Sequence, residues 1–402
     1  MHPEQRIVGP ETVQMLELGH PWIISDSHTK RWPQTKPGQV VSLIDNKGRF
    51  LATALADPQD RIVARVLSRE LIKLDHSWMK KRLAAALDLR QQHVELGDTN
   101  ACRLVNAEGD GMPGLTVDRY ADYLMVQLYC GGWRPHLPLV TQALQELLSP
   151  RGIYEKTRPQ KTRELEASGE SKRYGRLLTG IAAPERLEVR ENGLNFLVSM
   201  EQGLNTGLFL DQRINRRELM TRVQEKRVLN LFSYTGAFSV AAAASGAQQV
   251  TSVDASPGYT EWAQNNFGIN RLNPKRHVFI VGDCLSVLAD LALQGKRYDI
   301  ILMDPPSFST TAKSRFTTRG GTSDLVTAAL PLLQNNGLLI TSSNHQKLDL
   351  ADYLKELRRA SIKTGSELRV VFISGQPEDF PYPVTFPEGR YLKYVVSVKG
   401  AP

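Results

Sequence analysis

Asn230-Leu-Phe-Ser-Tyr-Thr-Gly236 closes an apolar run that begins at Val228 and hands over to the small-residue stretch Ala237 to Ala244. A buried strand that breaks at a glycine-bearing turn and resumes as a helix aims backbone N–H groups at a nucleotide-like ligand. Alone, such a turn is a weak signal. Here further apolar runs follow, each closing on a glycine or an acid: Gln249-Val-Thr-Ser-Val-Asp254, His277-Val-Phe-Ile-Val-Gly-Asp283 and Tyr298-Asp-Ile-Ile-Leu-Met-Asp-Pro-Pro306. The carboxyl ends of parallel strands share one edge, so these groups fall along a single crevice. The pattern predicts an α/β fold with a ligand site at that crevice. Two later runs, Leu368 to Ser374 and Tyr391 to Val398, are joined by the Pro-rich stretch Gln376 to Glu388, which predicts an antiparallel closing hairpin.

With 402 residues and 41% hydrophobic composition, the chain can bury a sizeable core and divide into two or three domains. No stretch has the apolar length of a membrane span, and Met1-His-Pro-Glu-Gln-Arg6 lacks the features of a signal peptide, so a cytoplasmic protein is expected. Cys102, Cys130 and Cys284 show no paired spacing, which suggests neither a disulfide framework nor a metal site. A formal net charge of +8 favours a polyanionic partner.

Residues 1 to 73 read as a small all-β module: Val40 to Ile44, the turn Asp45-Asn-Lys-Gly48, Phe50 to Ala56 and Ile62 to Leu67. Residues 74 to 189 read as α+β. A helix capped by Asp75 runs to about Leu96, with an apolar stripe of Trp78, Met79, Leu83, Ala86 and Leu87. Strands follow near Arg103, Leu115, Tyr123 and Gly152, with a helix over Leu137 to Leu148. The stretch Arg151 to Arg176 interleaves Arg158, Lys161, Arg163, Lys172, Arg173 and Arg176 with Tyr154 and Tyr174, a composition suited to tracking a phosphate backbone and stacking bases. Its acids Glu164, Glu166 and Glu170 fit a solvated loop instead. From 190 to 402 a strand pair turning at Glu191-Asn-Gly193 leads into the crevice-bearing unit.

These residues resemble the S-adenosylmethionine-dependent methyltransferases. Thr206-Gly-Leu-Phe-Leu-Asp-Gln-Arg213, the Asn230 to Gly236 turn, Val253-Asp254 with Trp262-Ala263, and Asp304-Pro-Pro-Ser-Phe-Ser309 are similar to methyltransferases of large-subunit ribosomal RNA. His20-Pro-Trp22 and Glu108-Gly-Asp-Gly-Met-Pro-Gly-Leu-Thr-Val-Asp-Arg119 look like the branch that methylates C5 of cytosine in 23S rRNA. Asp304 to Ser309 and Ser342-Ser-Asn344 are closer to the guanine-N7 domain of the bifunctional 23S rRNA enzyme. The first 73 residues resemble the PUA fold, an RNA-binding attachment.

The resemblance implies a Rossmann-like class I methyltransferase domain, a seven-stranded sheet with an antiparallel closing hairpin, preceded by the PUA-like and α+β domains. It implies S-adenosyl-L-methionine as cofactor. Implied partners are 23S rRNA or a large-subunit assembly intermediate, no membrane, and a second copy of the chain in a homodimer. On the cofactor, Asp254 would take the ribose hydroxyls beside Ala255 and Ser256, unless it only caps the next helix. Asp283 would meet the adenine amine, with the backbone N–H of Cys284 next to it, and a helix cap is again the alternative. Phe232, Ser233, Tyr234 and Gly236 would surround the methionine portion. Arg213 would take the cofactor carboxylate or merely pair with a neighbouring acid. Asp304 and Pro305 would border both cofactor and substrate, Phe308 would stack on an extruded base, and Arg158, Lys161 and Arg163 would contact RNA. Ser307 stands where aminomethylating relatives carry an aromatic, which disfavours methylation of an exocyclic amine.

Cysteine separates the two base chemistries. C5 of cytosine is a poor nucleophile, so its methylation needs a thiolate to add at C6. In the cytosine-5 branch that thiol belongs to a Ser-Cys-Ser-like element at the end of the fifth strand, where this chain has Ser342-Ser343-Asn344. Guanine N7 offers a lone pair and loses no proton, so positioning and a dry pocket suffice. Asn344 could give an amide to the base edge and Asp304 could accept from guanine N1–H or N2–H₂. Guanine N7 is therefore favoured over cytosine C5. The reading from a different class is a noncatalytic RNA-binding protein that keeps the fold.

Overall fold

A computed structural model describes residues 3–157, 173–306, 308–310 and 315–400, with the backbone course alone for 308–310 and 315–320. Arg227–Leu231, Gln249–Asp254, Val278–Val281, Tyr298–Met303 and Leu333–Ser343 run parallel in one sheet. Lys393–Lys399 pairs antiparallel with Leu333–Ser343 on one side and Leu368–Ser374 on the other. Numbered along the chain, the seven strands lie in the order 3-2-1-4-5-7-6. The order reverses between Arg227–Leu231 and Tyr298–Met303, and a crevice opens outside the carboxyl ends at such a point.

Both faces of this sheet are covered, which is why stretches such as Val228–Leu231 and Ile300–Met303 are apolar at nearly every position rather than at alternate ones. Leu229, Leu231, Ile301 and Met303 pack on one face with Leu288 and Leu325. Val228, Ile300, Leu302 and Ile340 pack on the other with Phe238 and Tyr394. Side chains alternate along a strand, so a doubly covered sheet demands a continuous apolar run.

The front of the chain forms a five-stranded sheet in the order Glu4–Ile7, Val40–Ile44, Phe50–Ala56, Ile62–Ser68, Trp22–Ile24. The expected hairpin turns where the Asp45 carboxylate accepts from the backbone N–H groups of Lys47 (2.8 Å) and Arg49 (2.9 Å). Glu4–Ile7 and the helix Pro10–Glu17 carry no clear apolar period, burying Arg6 and Leu16 respectively, and only the tertiary fold defines them.

A second five-stranded sheet comprises Gly175–Gly180, Gly152–Lys156, Tyr123–Leu128, Leu115–Tyr120 and Ala101–Asn106. The helices His76–His93 and Leu137–Leu148 pack on one face. Asp75 caps the first of them, accepting from the Trp78 N–H at 3.1 Å, and the helix stops at His93, short of Leu96. The other face meets the hairpin Leu187–Glu191 and Leu194–Val198, which turns through Asn192 and Gly193 at φ 51° and 76°. Both turn residues are left-handed, as the twist of a two-residue hairpin requires.

The proposed stacking surface of the middle region is partly overturned. Tyr154 is fully buried and its hydroxyl accepts from the Ala183 N–H at 2.7 Å, so it cannot stack on a base. Arg176 pairs with the buried Glu155 (2.9 Å) and Arg173 with Glu201 (3.3 Å). Arg158, Lys161, Arg163 and Lys172 lie outside the described residues. No helix among the described residues is long and apolar enough to cross a membrane.

Leu55 and Leu67 of the front sheet lie in the same buried cluster as Met79, Leu83 and Trp133. Deleting residues 1–73 therefore opens a core and does not simply remove an appendage. The truncated chain is expected to lose about 4 kcal/mol or more of stability. Thermal melting checks this, and an unchanged Tm would show that the two leucines are dispensable.

Candidate cofactor and base site

The turn after the first strand is held in an unusual backbone shape. Phe232 and Tyr234 sit at φ 57° and 50°, the left-handed region that side-chain-bearing residues seldom occupy. Such strain persists only where surrounding bonds over-determine it. The Ser233 N–H donates to Val253 O (2.9 Å), the Tyr234 N–H to Asp254 Oδ2 (2.8 Å) and the Gly236 N–H to Ser233 O (2.8 Å). Asn266 Nδ2 donates to Thr235 O at 2.8 Å. Gly236, at φ 80°, has no room for a side chain: a Cβ there would lie 2.7 Å from that of Ala263. Glycine is equally required at Gly207, where a Cβ would meet the Trp262 ring at 2.5 Å, so the Thr206 to Arg213 block lies directly on the helix Pro257–Ile269.

Asp254 thus serves the turn. Its Oδ1 accepts from the Ser256 N–H at 3.0 Å, and burial pushes its pKa above the usual carboxylate range. The cap of the following helix is Ser256, whose Oγ accepts from the Tyr259 N–H at 3.0 Å, so the capping alternative for Asp254 falls to its neighbour. Between them, the Ala255 N–H also donates to the Asp254 carboxylate. Asp283 caps the helix Cys284–Leu293, accepting from Ser286 N–H at 3.1 Å. Cys284 is buried beneath the turn, its sulfur receiving the Phe232 N–H, and desolvation pushes the thiol pKa up to about 12.

At the end of the fourth strand Asp304 is half-buried. Gln212 Nε2 donates both to Asp304 Oδ2 and to Ser342 Oγ, each at 2.9 Å, and Asn215 Nδ2 holds the Gln212 carbonyl at 2.6 Å. The Ser342 hydroxyl also bonds the Asp304 carboxylate, yet desolvation dominates and its pKa rises to about 6. Pro305 is buried beside it. Phe308 begins a short strand, Phe308–Thr310, paired with Arg315–Thr317, and its side chain lies outside the described residues. Ser342 and Ser343 are buried at the end of the fifth strand and Asn344 emerges exposed. Lys393 Nζ clamps the chain just beyond, donating to His345 O and Tyr391 O at 2.7 Å each, and its burial lowers its pKa to about 8.

Arg213 forms an ion pair, one of its two expected roles, through one nitrogen of its guanidinium. Its Nη2 lies 2.7 Å from Oδ1 of Asp379, a residue with no exposure, while its Nε and Nη1 are buried without a hydrogen-bond partner among the described residues. Asp379 is a hub: its Oδ2 accepts from the Arg103 N–H (2.8 Å) and its carbonyl from Arg90 Nη2 (2.8 Å). It pins the stretch between the last two strands onto the middle sheet.

Above the carboxyl ends of the sheet this pinning leaves a cavity of about 530 Å³, lined by Arg103, Asp118, Asp211, Asn344, Phe380 and Tyr391 among others. Trp22 reaches its rim, donating from Nε1 to Glu108 Oε1 at 2.8 Å and packing edge-on to Phe386 at 4.7 Å. The two front motifs singled out in the sequence, around Trp22 and Glu108, therefore meet here. The residues missed by sequence reasoning are Gln212, Asp211, Asp379 and Tyr391. The first two lie inside the Thr206 to Arg213 block, a signal that could have found them. The others sit in or just after the Pro-rich stretch, where nothing local marks them.

The strained turn, its buried acid at the second strand end and the cap acid at the third form a donor and acceptor set that fits an adenosyl group with an amino-acid tail. The sequence profile for S-adenosylmethionine-dependent methyltransferases matches residues 171–382, and that for the PUA-like domain matches residues 7–69. Ribosomal RNA large subunit methyltransferase I of Vibrio cholerae is 33% identical over 380 residues, 94% of this chain and 95% of its own length. The protein of that name from Shigella dysenteriae is 31% identical, covering 93% of each chain. A methyltransferase crystallised with SAH superposes with a TM-score of 0.88 at 29% identity, over 98% of this chain and 100% of its own. A SAM-dependent methyltransferase from Streptococcus mutans gives 0.86 at 29% identity, with the same coverage. The chain is an S-adenosylmethionine-dependent methyltransferase and belongs to the family of ribosomal RNA large subunit methyltransferase I.

Proposed function

We propose that the protein methylates N7 of a guanine in large-subunit rRNA. The substrate class follows the names of its full-length relatives. The atom rests on one observation: no thiol faces the cavity. None of the three cysteines lines it, all are buried, and desolvation pushes each thiol up to about 12. A nucleophilic cysteine needs the opposite, a depressed pKa and access to the base.

When bound, S-adenosylmethionine supplies a methyl group on a positively charged sulfur. In this reading Asp254 takes the ribose hydroxyls, Asp283 and the Cys284 N–H take the adenine, and Phe232 to Gly236 wrap the methionine portion. These residues would hold the methyl group in line with the guanine N7 lone pair, so that the N7–CH3 bond would form as the S–CH3 bond breaks, leaving S-adenosylhomocysteine and a cationic ring with no proton to remove. Asp304, held by Gln212 at the end of the fourth strand with Pro305 beside it, would favour that positive charge through its carboxylate. Asn344 offers its amide to the base, and Phe308 stacks on it. Residues 1–73, 74–189 and 190–402 are the corresponding PUA-like, middle and catalytic units.

Purified protein acting on unmodified 23S rRNA should yield 7-methylguanosine, and borohydride followed by aniline should cleave the product strand at one guanosine. Replacing Cys102, Cys130 and Cys284 together by Ala should leave the turnover of folded protein within a few-fold of the parent. A 5-methylcytidine product, or turnover abolished in the cysteine-free protein, would sink the proposal.

A further inference from the structure

The strand Leu194–Val198 pairs with Leu187–Glu191 along one edge, and side chains of the helix Pro257–Ile269 and its C-cap take the place of a partner strand along the other. Trp262 Nε1 donates to Leu197 O at 3.0 Å, and Asn266 Oδ1 accepts from the Leu197 N–H at 2.9 Å. Asn270, the C-cap, accepts from the Asn195 N–H (2.8 Å) and donates to Asn195 O (2.6 Å). A spacing of four residues sets all three side chains on one face of the helix. Docking the hairpin accounts for each of these bonds, because backbone groups taken from water need partners. It does not account for one more. Asn266, a residue with no exposure, also donates from Nδ2 to the carbonyl of Thr235, equally buried, at 2.8 Å. Of the three, Asn266 is the one that joins the hairpin to the turn after the first strand of the catalytic sheet.

We propose that Asn266 is a positioning residue for the cofactor: by holding the Thr235 carbonyl it fixes the turn that binds S-adenosylmethionine. This rests on the cofactor reading of Phe232 to Gly236 and is independent of which base is methylated. The Thr235 carbonyl and the Gly236 N–H belong to one rigid peptide plane. Asn266 holds that plane at its oxygen, and the Gly236 N–H holds it at the other end by donating to Ser233 O at 2.8 Å. Tyr234 at φ 50° and Gly236 at φ 80° flank the plane, so it lies within the strained part of the turn. Backbone of this kind keeps its shape only while its surroundings over-determine it. The Thr235 hydroxyl donates to Gly207 O at 2.5 Å, which anchors the side chain and leaves the peptide to Asn266. Without that amide the buried Thr235 oxygen has lost its donor, and the peptide rotates to recover one. The N–H groups that the turn aims at the methionine portion rotate with it. Asp254 and Asn266 thus grip adjoining parts of the turn, one at the Tyr234 N–H and the other at the Thr235 carbonyl.

The test titrates S-adenosylmethionine into the full-length protein by calorimetry and follows methylation of a large-subunit rRNA transcript. Asn266→Ala should raise the cofactor Kd by roughly 10-fold or more, and KM for S-adenosylmethionine should rise by a similar factor while KM for RNA stays parental. Asn270→Ala is the matched control, since it strips the same hairpin edge one helical turn away and leaves the Thr235 carbonyl held. Its Tm should fall to a comparable degree, with the cofactor Kd within about 2-fold of the parent. Asn266→Asp keeps an acceptor for the Leu197 N–H and sets an oxygen against Thr235 O, so its Kd should rise as well. That variant carries the test if the alanine protein melts near the assay temperature. A parental cofactor Kd in either folded Asn266 variant, or an equal rise in Asn270→Ala, would overturn the assignment. Normal cofactor affinity in Asp254→Ala would instead overturn the cofactor reading of the turn itself, a separate outcome.

Discussion

Asp254→Ala is expected to weaken S-adenosylmethionine binding by about 2–4 kcal/mol, a Kd higher by roughly 30- to 1,000-fold. Two losses combine. In the proposed reading the ribose hydroxyls lose a charge-assisted acceptor, and the turn loses the carboxylate that receives the N–H groups of Tyr234 and Ser256. With Phe232 and Tyr234 held at positive φ, release of that carboxylate lets the backbone relax out of its binding shape. Asp254→Asn separates the parts: one amide oxygen still accepts, while the NH₂ group faces an N–H, so an intermediate loss is expected. Isothermal titration measures both. Normal affinity in the alanine variant would mean that the second-strand acid does not meet the cofactor.

Asp304→Asn should slow methyl transfer by about 100-fold in single turnover, the usual cost of removing one preorganised electrostatic partner. The same substitution should stabilise the fold. Burial raises the Asp304 pKa from 3.8 to about 6, so the folded protein holds this proton more tightly than the unfolded chain does. The contribution of that proton to stability is present below pH 3.8 and is lost as pH rises through about 6. At pH 8 the asparagine variant should therefore melt higher than the parent, by up to about 3 kcal/mol in stability, and the gap should close at pH 4. Activity runs the other way: the parent's rate should climb with pH through about 6, where the carboxylate ionises, and the variant should lack that limb. A variant that is as fast as the parent, or no more stable at pH 8, would remove Asp304 from the charge-stabilising role.

The sequence by itself determined the catalytic sheet, because its signals are local. Val228 to Leu231 and Ile300 to Met303 are apolar at nearly every position since both faces of each strand are covered, and runs of that kind survive in one dimension. The turn at Phe232 to Gly236 and the acids Asp254, Asp283 and Asp304 were legible because each directly ends such a run. The Asp75 cap and the Asn192-Gly193 hairpin turn were legible for the same reason, being contacts a few residues apart.

Only the tertiary structure decided which side chains share a site. Arg213 meets Asp379 across 166 positions, Tyr391 meets Asp211 across 180, and Trp22 meets Glu108 across 86. Arg213 read equally well as a ligand for a cofactor carboxylate and as half of an ion pair. Tyr154 read as a stacking aromatic until the sheet buried it. Burial, charge pairing and pKa depend on what long loop closures bring within a few ångströms, and no residue's own neighbours in sequence carry that information. The cavity exists because Asp379 pins the stretch between the last two strands onto a sheet built far earlier in the chain. The shape and lining of that cavity are therefore properties of the assembled fold.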